Sequence, residues 1–442
     1  MESEITRSEA EAILTSMVYG VVPRMGLRHI NVGHEEEIKA LLKDLDRVKN
    51  GDAAFRFIVG RNGSGKSFIL QTIRNNAMEK GFVVIDADLS PERRLTGSKK
   101  QGLNTYIELL QNCSTLARPS GGALESVLQQ WIISLQRDVA AKENLKQNDP
   151  QLISKVSARI REDLRSLTEM SHGFAFTLVL DAYWRGMKTR NDNLKDAALR
   201  WLRGEFMTRT DARQYFPVDI LINDENWYEF LKLFARFTRL ARFNGLIIIF
   251  DECINLYKIP HKISRQNNYE KILLMYNDCM QGKAKDIGII MSGTEQFIYD
   301  EARGLYSYEA LRTRLMKSRC VYKDYVDYRA PVILLKRISS EELLVLLERL
   351  CKIHAFYYGY SRELTSDNLK SFLNIANSKL GSDEFLTIRE VAKSFLEILN
   401  ILEQRPNVSF DNILIQQANE MQGPSTDPDA PADDIFSELD DL

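Results

Sequence analysis

Two rhythms of apolar residues run along the chain. Runs that are apolar at nearly every position occur at 55–59 (Phe55, Phe57, Ile58, Val59), 83–85, 246–250 and 287–291, with another in RAPVILLKRIS from 329 to 339. Each has the length of a buried strand. Elsewhere apolar residues return every three or four positions, the spacing of a helix with one buried side. That spacing predicts helices over 4–19, from about 35 to 50, after Gly65, over 124–142, 151–167, 228–245 and 269–283, and three more after 339. Thr6 or Ser8, Ser339 or Ser340, and Thr365 stand where a side-chain oxygen would cap such helices. Glu35, Glu36 and Glu37 fall in a first turn, where negative charge complements the helix dipole.

Strands separated by helical stretches predict an α/β architecture. The block from about 100 to 243 is helical yet lies between two strands of one sheet, so it reads as an insertion into the sheet domain. The expected organisation is an N-terminal helical segment and linker over 1–50, a sheet-bearing core over 51–330, a C-terminal helical lid over 331–420 and an acidic tail over 421–442. GPSTDPDAPADD in that tail has the composition of disorder. Its last residues, IFSELDDL, would place Ile435, Phe436, Leu439 and Leu442 on one stripe of a short helix, which is either a partner-docking peptide or an inert end.

At 442 residues, with 44% hydrophobic and 27% charged, the composition is that of ordinary globular material, enough for two or three domains. A net charge of −2 offers nucleic acid no general field, so such a contact needs a local basic patch. Between Arg185 and Arg213 there are eight Lys/Arg against four Asp/Glu, either a solvated helix face or a phosphate-backbone or partner contact. The five cysteines (Cys113, Cys253, Cys279, Cys320, Cys351) are widely spaced without C-x-x-C, as free thiols in a reducing compartment would be. The five histidines form no H-E-x-x-H motif. With no secretory h-region and no apolar run of about 18 residues, a soluble cytoplasmic protein without membrane contact is expected.

The first strand runs into Gly60-Arg61-Asn62-Gly63-Ser64-Gly65-Lys66-Ser67, which fits G-x-x-x-x-G-K-[ST], the phosphate-binding P-loop. Gly60, Gly63 and Gly65 let backbone N–H groups turn inward around a phosphate, in conformations a side chain would obstruct. A helix beginning near Lys66, with Phe68 in its first turn, adds its positive dipole end. Lys66 then reaches the β- and γ-phosphates, and the Ser67 hydroxyl ligates magnesium. A P-loop NTPase fold is therefore expected, a parallel sheet with helices on both faces, with ATP and Mg2+ as its cofactors.

Other strand ends carry matching chemistry. LIIIF ends in Asp251-Glu252, where Asp251 would hold the magnesium shell and Glu252 would orient and polarise the attacking water. Asp86 and Asp88 end the second run; they touch magnesium or water indirectly, or cap the following turn. The fourth run ends in Ser292, Gly293 and Thr294, where a polar side chain would bond the γ-phosphate or the lytic water, unless the turn makes no such contact. Arg312, Arg314, Lys317 and Arg319 form a basic run, either an exposed helix or the source of an arginine aimed at a neighbouring subunit's γ-phosphate. Val32-Gly33-x-Glu, upstream of the P-loop strand, covers an adenine or simply opens a capped helix. Arg389, at the start of the last of these helices, would close onto the phosphates from the lid or make an ordinary surface pair.

This ordered set resembles an AAA+ ATPase of the origin-recognition type. LSPERRLTG, GLNTYIELLQNCSTLARPSGGALESVLQQWI, WLRGE, IIIFDE, SGTEQFIYDEARGLYSYEALRTRL and LTIREVAKSFLEILN narrow the likeness. Over most of 30–400 the chain looks like the ATP-binding proteins of bacterial BREX phage-exclusion systems and their relatives in other defence islands. The resemblance implies Thr294 at the sensor-1 place, Arg312 or Arg314 as the arginine finger, and Arg389 at sensor 2. It implies other defence proteins as partners and subunits that share a nucleotide. Ile388 stands where such proteins carry proline, which would leave that helix start less fixed. Little chain follows 400, so the winged-helix DNA-binding domain common in these ATPases, and direct duplex reading with it, is expected to be absent. Two functions fit: an ATPase that drives a change of shape in an antiviral assembly, or a low-turnover ATP-dependent switch or scaffold that recruits a partner. Glu252 favours the first, since a pure binder has no need of a water-polarising acid.

Overall fold

A computed structural model describes residues 5–146, 149–316, 326–361, 364–378 and 387–420. The chain divides into two units: one runs from His34 to Arg337, and the other joins the residues up to Gly33 with those from Ile338 onward.

In the larger unit five parallel strands, β1 (Ala53–Val59), β2 (Val83–Asp88), β3 (Leu246–Asp251), β4 (Ile287–Gly293) and β5 (Val332–Leu334), form a sheet in the order β2-β3-β4-β1-β5. Their side chains alternate between two apolar faces. Phe55, Phe57, Val83, Ile85, Ile248 and Ile289 lie on one; Ala54, Ile58, Val84, Ile247, Ile249 and Ile290 lie on the other. Helices cover both faces, so nearly every strand position is apolar and the strands appear in the sequence as unbroken runs.

The second face is covered by α2 (Glu35–Lys49) and α3 (Lys66–Glu79). The first carries the helices inserted between the neighbouring strands β2 and β3: α4 (Gln101–Gln111), α5 (Leu124–Glu143), α6 (Pro150–Thr168), α7 (Gly173–Thr189), α8 (Asp192–Leu202), α9 (Arg209–Arg213) and α10 (Trp227–Leu240). Later elements α11 (Ile254–Tyr257), α12 (Lys262–Met280), α13 (Glu295–Tyr299) and α14 (Glu309–Leu315) join the same side. The insertion packs around aromatic side chains. Trp131 meets Phe237 edge-on with centroids 5.1 Å apart, and Trp201 meets Phe230 at 5.4 Å. This layer is continuous with the apolar face of the sheet, so the insertion shares the sheet's core.

A buried charge in mid-strand interrupts the second face. Arg56, in mid-β1, is buried; its guanidinium donates to both carboxylate oxygens of Asp44 on α2, with Nη2 at 3.0 Å from Oδ1. It also donates to the backbone carbonyls of Arg329 (2.7 Å) and Ala330. One side chain thus ties β1 to α2 and to the approach to β5.

In the smaller unit α1 (Arg7–Val18) packs on α15 (Ser340–Tyr358) and α17 (Ile388–Gln404), with α16 (Ser366–Ser378) and α18 (Phe410–Glu420) beside them. By packing, the first helix therefore sits with the C-terminal ones. Thr6 with Glu9 and Ser339 with Glu342 form capping boxes, and Thr365 Oγ1 accepts from Asn368 N at 3.3 Å. Thr387 and Glu390 form a third box at α17, with Glu390 N donating to Thr387 Oγ1 at 3.2 Å. This corrects the looser helix start expected from Ile388: the box fixes the first turn without proline. Cys113, Cys253, Cys279 and Cys351 are free thiols. Lys317, Arg319, Cys320 and the 421–442 tail, with Ile435, Phe436, Leu439 and Leu442, lie outside the described residues.

Arg56→Leu strips Asp44 of its partner, and breaking a buried pair in this way costs roughly 3–5 kcal/mol. The urea midpoint of the larger unit is expected to fall accordingly, and to fall also for Asp44→Asn, which leaves the Arg56 guanidinium without its counter-charge. A midpoint unchanged in Asp44→Asn would show that the charge pairing is not what matters.

Candidate functional site

At the end of β1 the Gly60 N–H donates to Gly293 O on β4 at 3.2 Å, which binds the start of the P-loop to the sheet. A Cβ on Gly60 would lie 2.3 Å from Ser64 Oγ, so no larger residue fits there. Gly63 and Gly65 have φ of +77° and +88°, left-handed backbone that glycine adopts without strain. α3 begins at Lys66, so the free N–H groups of its first turn open onto the loop. Arg61, Asn62 and Gly63 form an exposed tip, Ser64 is buried, and Ser67 and Phe68 are half-buried. Arg61 Nε lies 4.0 Å from Glu295 Oε1. Lys66 Nζ donates to Gly60 O (3.0 Å) and Arg61 O (2.8 Å), so its ammonium is folded onto the loop's own carbonyls. Desolvation pulls the Lys66 pKa below the usual lysine value, against the opposing attraction of Asp251 and Glu252.

The carboxyl ends of β2, β3 and β4 bring polar side chains to the α3 face. Strand alternation puts Asp86, Asp88, Asp251 and Ser292 on the side of Ile247, Ile249 and Ile290, with Asp88 opposite Asp251 in register. Ser67 Oγ donates to Asp251 Oδ2 at 3.3 Å, joining P-loop and β3. Glu252 follows with φ +54° and an exposed side chain, and its N–H donates to Asp251 Oδ1 at 2.8 Å. Asp86 instead pairs with Arg74 of α3 at 3.0 Å. The turn after β2 is capped by Ser90 Oγ, which accepts from Glu92 N and Arg93 N at 3.2 Å each, so neither aspartate serves as its cap. Desolvation, then the carboxylates of Asp251, Asp86 and Glu252, push Asp88 up to about 6, with Arg93 pulling the other way.

Among the described residues no three His, Cys, Asp or Glu side chains gather as a metal site. A Mg2+ held by Asp251, Ser67 and phosphate and water oxygens needs none, because that ion keeps several waters and takes one or two carboxylates. The pair at 3.3 Å suits such an ion.

Thr294 is the N-cap of α13, where its Oγ1 accepts from Phe297 N at 3.4 Å. Ser292 Oγ is fully buried on the α3 face and has no hydrogen-bond partner among the described residues. Arg312 pairs with Glu301 at 3.1 Å, and Arg314 Nε donates to Asn277 Oδ1 at 3.0 Å. Val32, Gly33 and Arg389 belong to the smaller unit. There a Cβ on Gly33 would lie 3.0 Å from Glu342 Oε1, and Arg389 Cδ lies 3.3 Å from where a Cβ on Gly20 would be. One contact escapes a reading by motif: His34, whose Nε2 lies 3.1 Å from Ser64 O.

Within the basic run, Arg185, Lys195, Arg203 and Arg213 are already ion-paired, with Asp181, Glu125, Glu205 and Asp219. Arg200 lies over the Phe206 ring at 4.8 Å. Less free charge remains for a phosphate backbone than the count of cations suggests. A cavity of about 590 Å3 in the insertion, walled by Lys100, His172, Phe206 and Ile222 among others, contains none of the predicted site residues. Among the described residues no helix is long and apolar enough to cross a membrane.

Residues 5–418 match the family model described as BREX system ATP-binding protein BrxC/D. No curated protein matches the chain.

Because the folded state raises the Asp88 pKa from 3.8 to about 6, ionised Asp88 opposes folding above that pH, and the penalty fades as pH falls through 6 toward 3.8. Asp88→Asn, measured without metal, is expected to raise the thermal midpoint at pH 7.5, with the gain shrinking below pH ~6. A gain independent of pH would disprove the raised Asp88 pKa.

Proposed function

The chain belongs to the BREX ATP-binding protein family, and on that premise we propose that it is a Mg2+-dependent AAA+-like ATPase whose turnover drives assembly or remodelling in a multi-protein phage-defence system. The observation that carries this reading is the junction of Ser67, Asp251 and Glu252 beside the P-loop, with Ser67 Oγ 3.3 Å from Asp251 Oδ2.

In this mechanism the amides of Gly60 to Ser67 cradle the phosphates, and Lys66 neutralises charge on the β- and γ-oxygens. Asp251 and Ser67 hold the metal, and Glu252 orients the attacking water. Ser292 or Thr294 at the end of β4 bonds the γ-phosphate or that water; the unpartnered hydroxyl of Ser292 has the capacity free. Arg312 or Arg314 completes the site of a neighbouring subunit in a homo-oligomer, and Arg389 senses the nucleotide from the lid. Val32 and Gly33 cover the adenine. Other defence proteins are the partners, and any nucleic-acid contact runs through the Arg185–Arg213 stretch.

A second reading is a low-turnover ATP switch or scaffold that recruits a partner. Two observations favour it. Glu252 sits in left-handed backbone with φ +54°, and both candidate finger arginines are engaged by Glu301 and Asn277 of their own chain. Full activity then waits on a neighbour that draws an arginine away.

Steady-state phosphate release separates the two. Wild type is expected to exceed Glu252→Gln by at least about 100-fold, measured with and without DNA. A wild-type rate no higher than that of the variant under every condition leaves only the switch.

A further inference from the structure

His34 takes no part in the chemistry assigned above. It is the N-cap residue of α2, with φ +57°, yet its side chain makes no capping hydrogen bond. That side chain is 6% exposed, and its Nε2 lies 3.1 Å from Ser64 O, in the middle of the P-loop. A carbonyl oxygen only accepts, so Nε2 carries the proton and donates it. Nδ1 faces the buried Glu37 carboxylate at 3.9 Å, so the ring is bracketed between α2 and the loop.

Ser64 lies between Gly63 and Gly65, both left-handed, where peptide planes rotate with little steric resistance. In a trans peptide the C=O of one residue and the N–H of the next point in opposite directions. A bond that turns Ser64 O toward His34 therefore turns the Gly65 N–H away from it.

We propose that His34 is a positioning residue for nucleotide. Its hydrogen bond to Ser64 O locks the Ser64–Gly65 peptide plane so that the Gly65 N–H is presented to phosphate before the nucleotide arrives. The inference rests on the reading of Gly60–Ser67 as the phosphate loop. Locking the plane in advance removes an ordering cost from binding. It also defines what can replace His34: a side chain that carries an N–H donor of similar reach.

The test uses the full chain and two variants. His34→Gln keeps a donor and His34→Leu removes it, while both leave a side chain in the left-handed position and so share its strain. ATP affinity with Mg2+ is read by calorimetry, hydrogen exchange over residues 60–68 is read without nucleotide, and thermal midpoints are recorded alongside. His34→Leu is expected to bind ATP about tenfold more weakly, the loss of one hydrogen bond, and to exchange faster over 60–68. His34→Gln stays within about twofold of wild type in both. Wild-type exchange and affinity in His34→Leu overturn the proposal. So does a Gln variant as impaired as Leu at the same thermal midpoint. Lys66→Ala checks the underlying reading by itself: if it binds ATP as wild type does, the phosphate-loop assignment falls, while exchange over 60–68 still decides whether His34 holds the peptide.

Discussion

A sheet covered by helices on both faces favours charge at its ends; in its middle the buried Arg56 needs Asp44 as a partner. Leu246 to Phe250 of β3 and Ile287 to Met291 of β4 are apolar or glycine because each side chain meets either α2 and α3 or the helices on the opposite face. Toward the carboxyl ends of β2, β3 and β4 stand Asp88, Asp251, Glu252 and the buried Ser292. Desolvation first, and neighbouring carboxylates second, lift Asp88 toward neutrality, since parallel neighbours deliver their polar residues to one rim. A cation brought to that rim relieves the repulsion.

Much of this was legible in the amino-acid order. The strands announce themselves because burial on both faces removes the polar residues that would otherwise break the runs. The P-loop announces itself because close packing leaves glycine alone at Gly60. What escaped did so for physical reasons. α7 is buried around most of its circumference, including Phe176, Val179, Leu180, Tyr183 and Trp184, so it lacks the amphipathic stripe that marks a surface helix. The association of α1 with α15 and α17 depends on contacts more than 300 residues apart in sequence, which periodicity does not encode. The His34 contact depends on side-chain direction at a single position, which belongs to geometry and not to pattern.

The arginines show how a charge count misleads. A stretch with twice as many cations as anions looks like a surface waiting for phosphate, yet four of its members are ion-paired within the chain. Exposed pairs of this kind are weak, and a polyanion can compete for them. Arg312 and Arg314 are in a comparable state, held by Glu301 and Asn277. Both are thus engaged within their own chain.

The smaller unit draws its helices from both extremities of the polypeptide, with the whole larger unit intervening. On the ribosome α1 emerges well before α15 and α17, on which it packs with its buried residues Ala10, Ile13 and Leu14. A helix of 12 residues is marginal in water by itself. The larger unit, complete at Arg337, can therefore fold while the amino-terminal segment is still waiting. A polypeptide released early would carry an intact nucleotide unit and an orphaned apolar helix, a species suited to capture by chaperones.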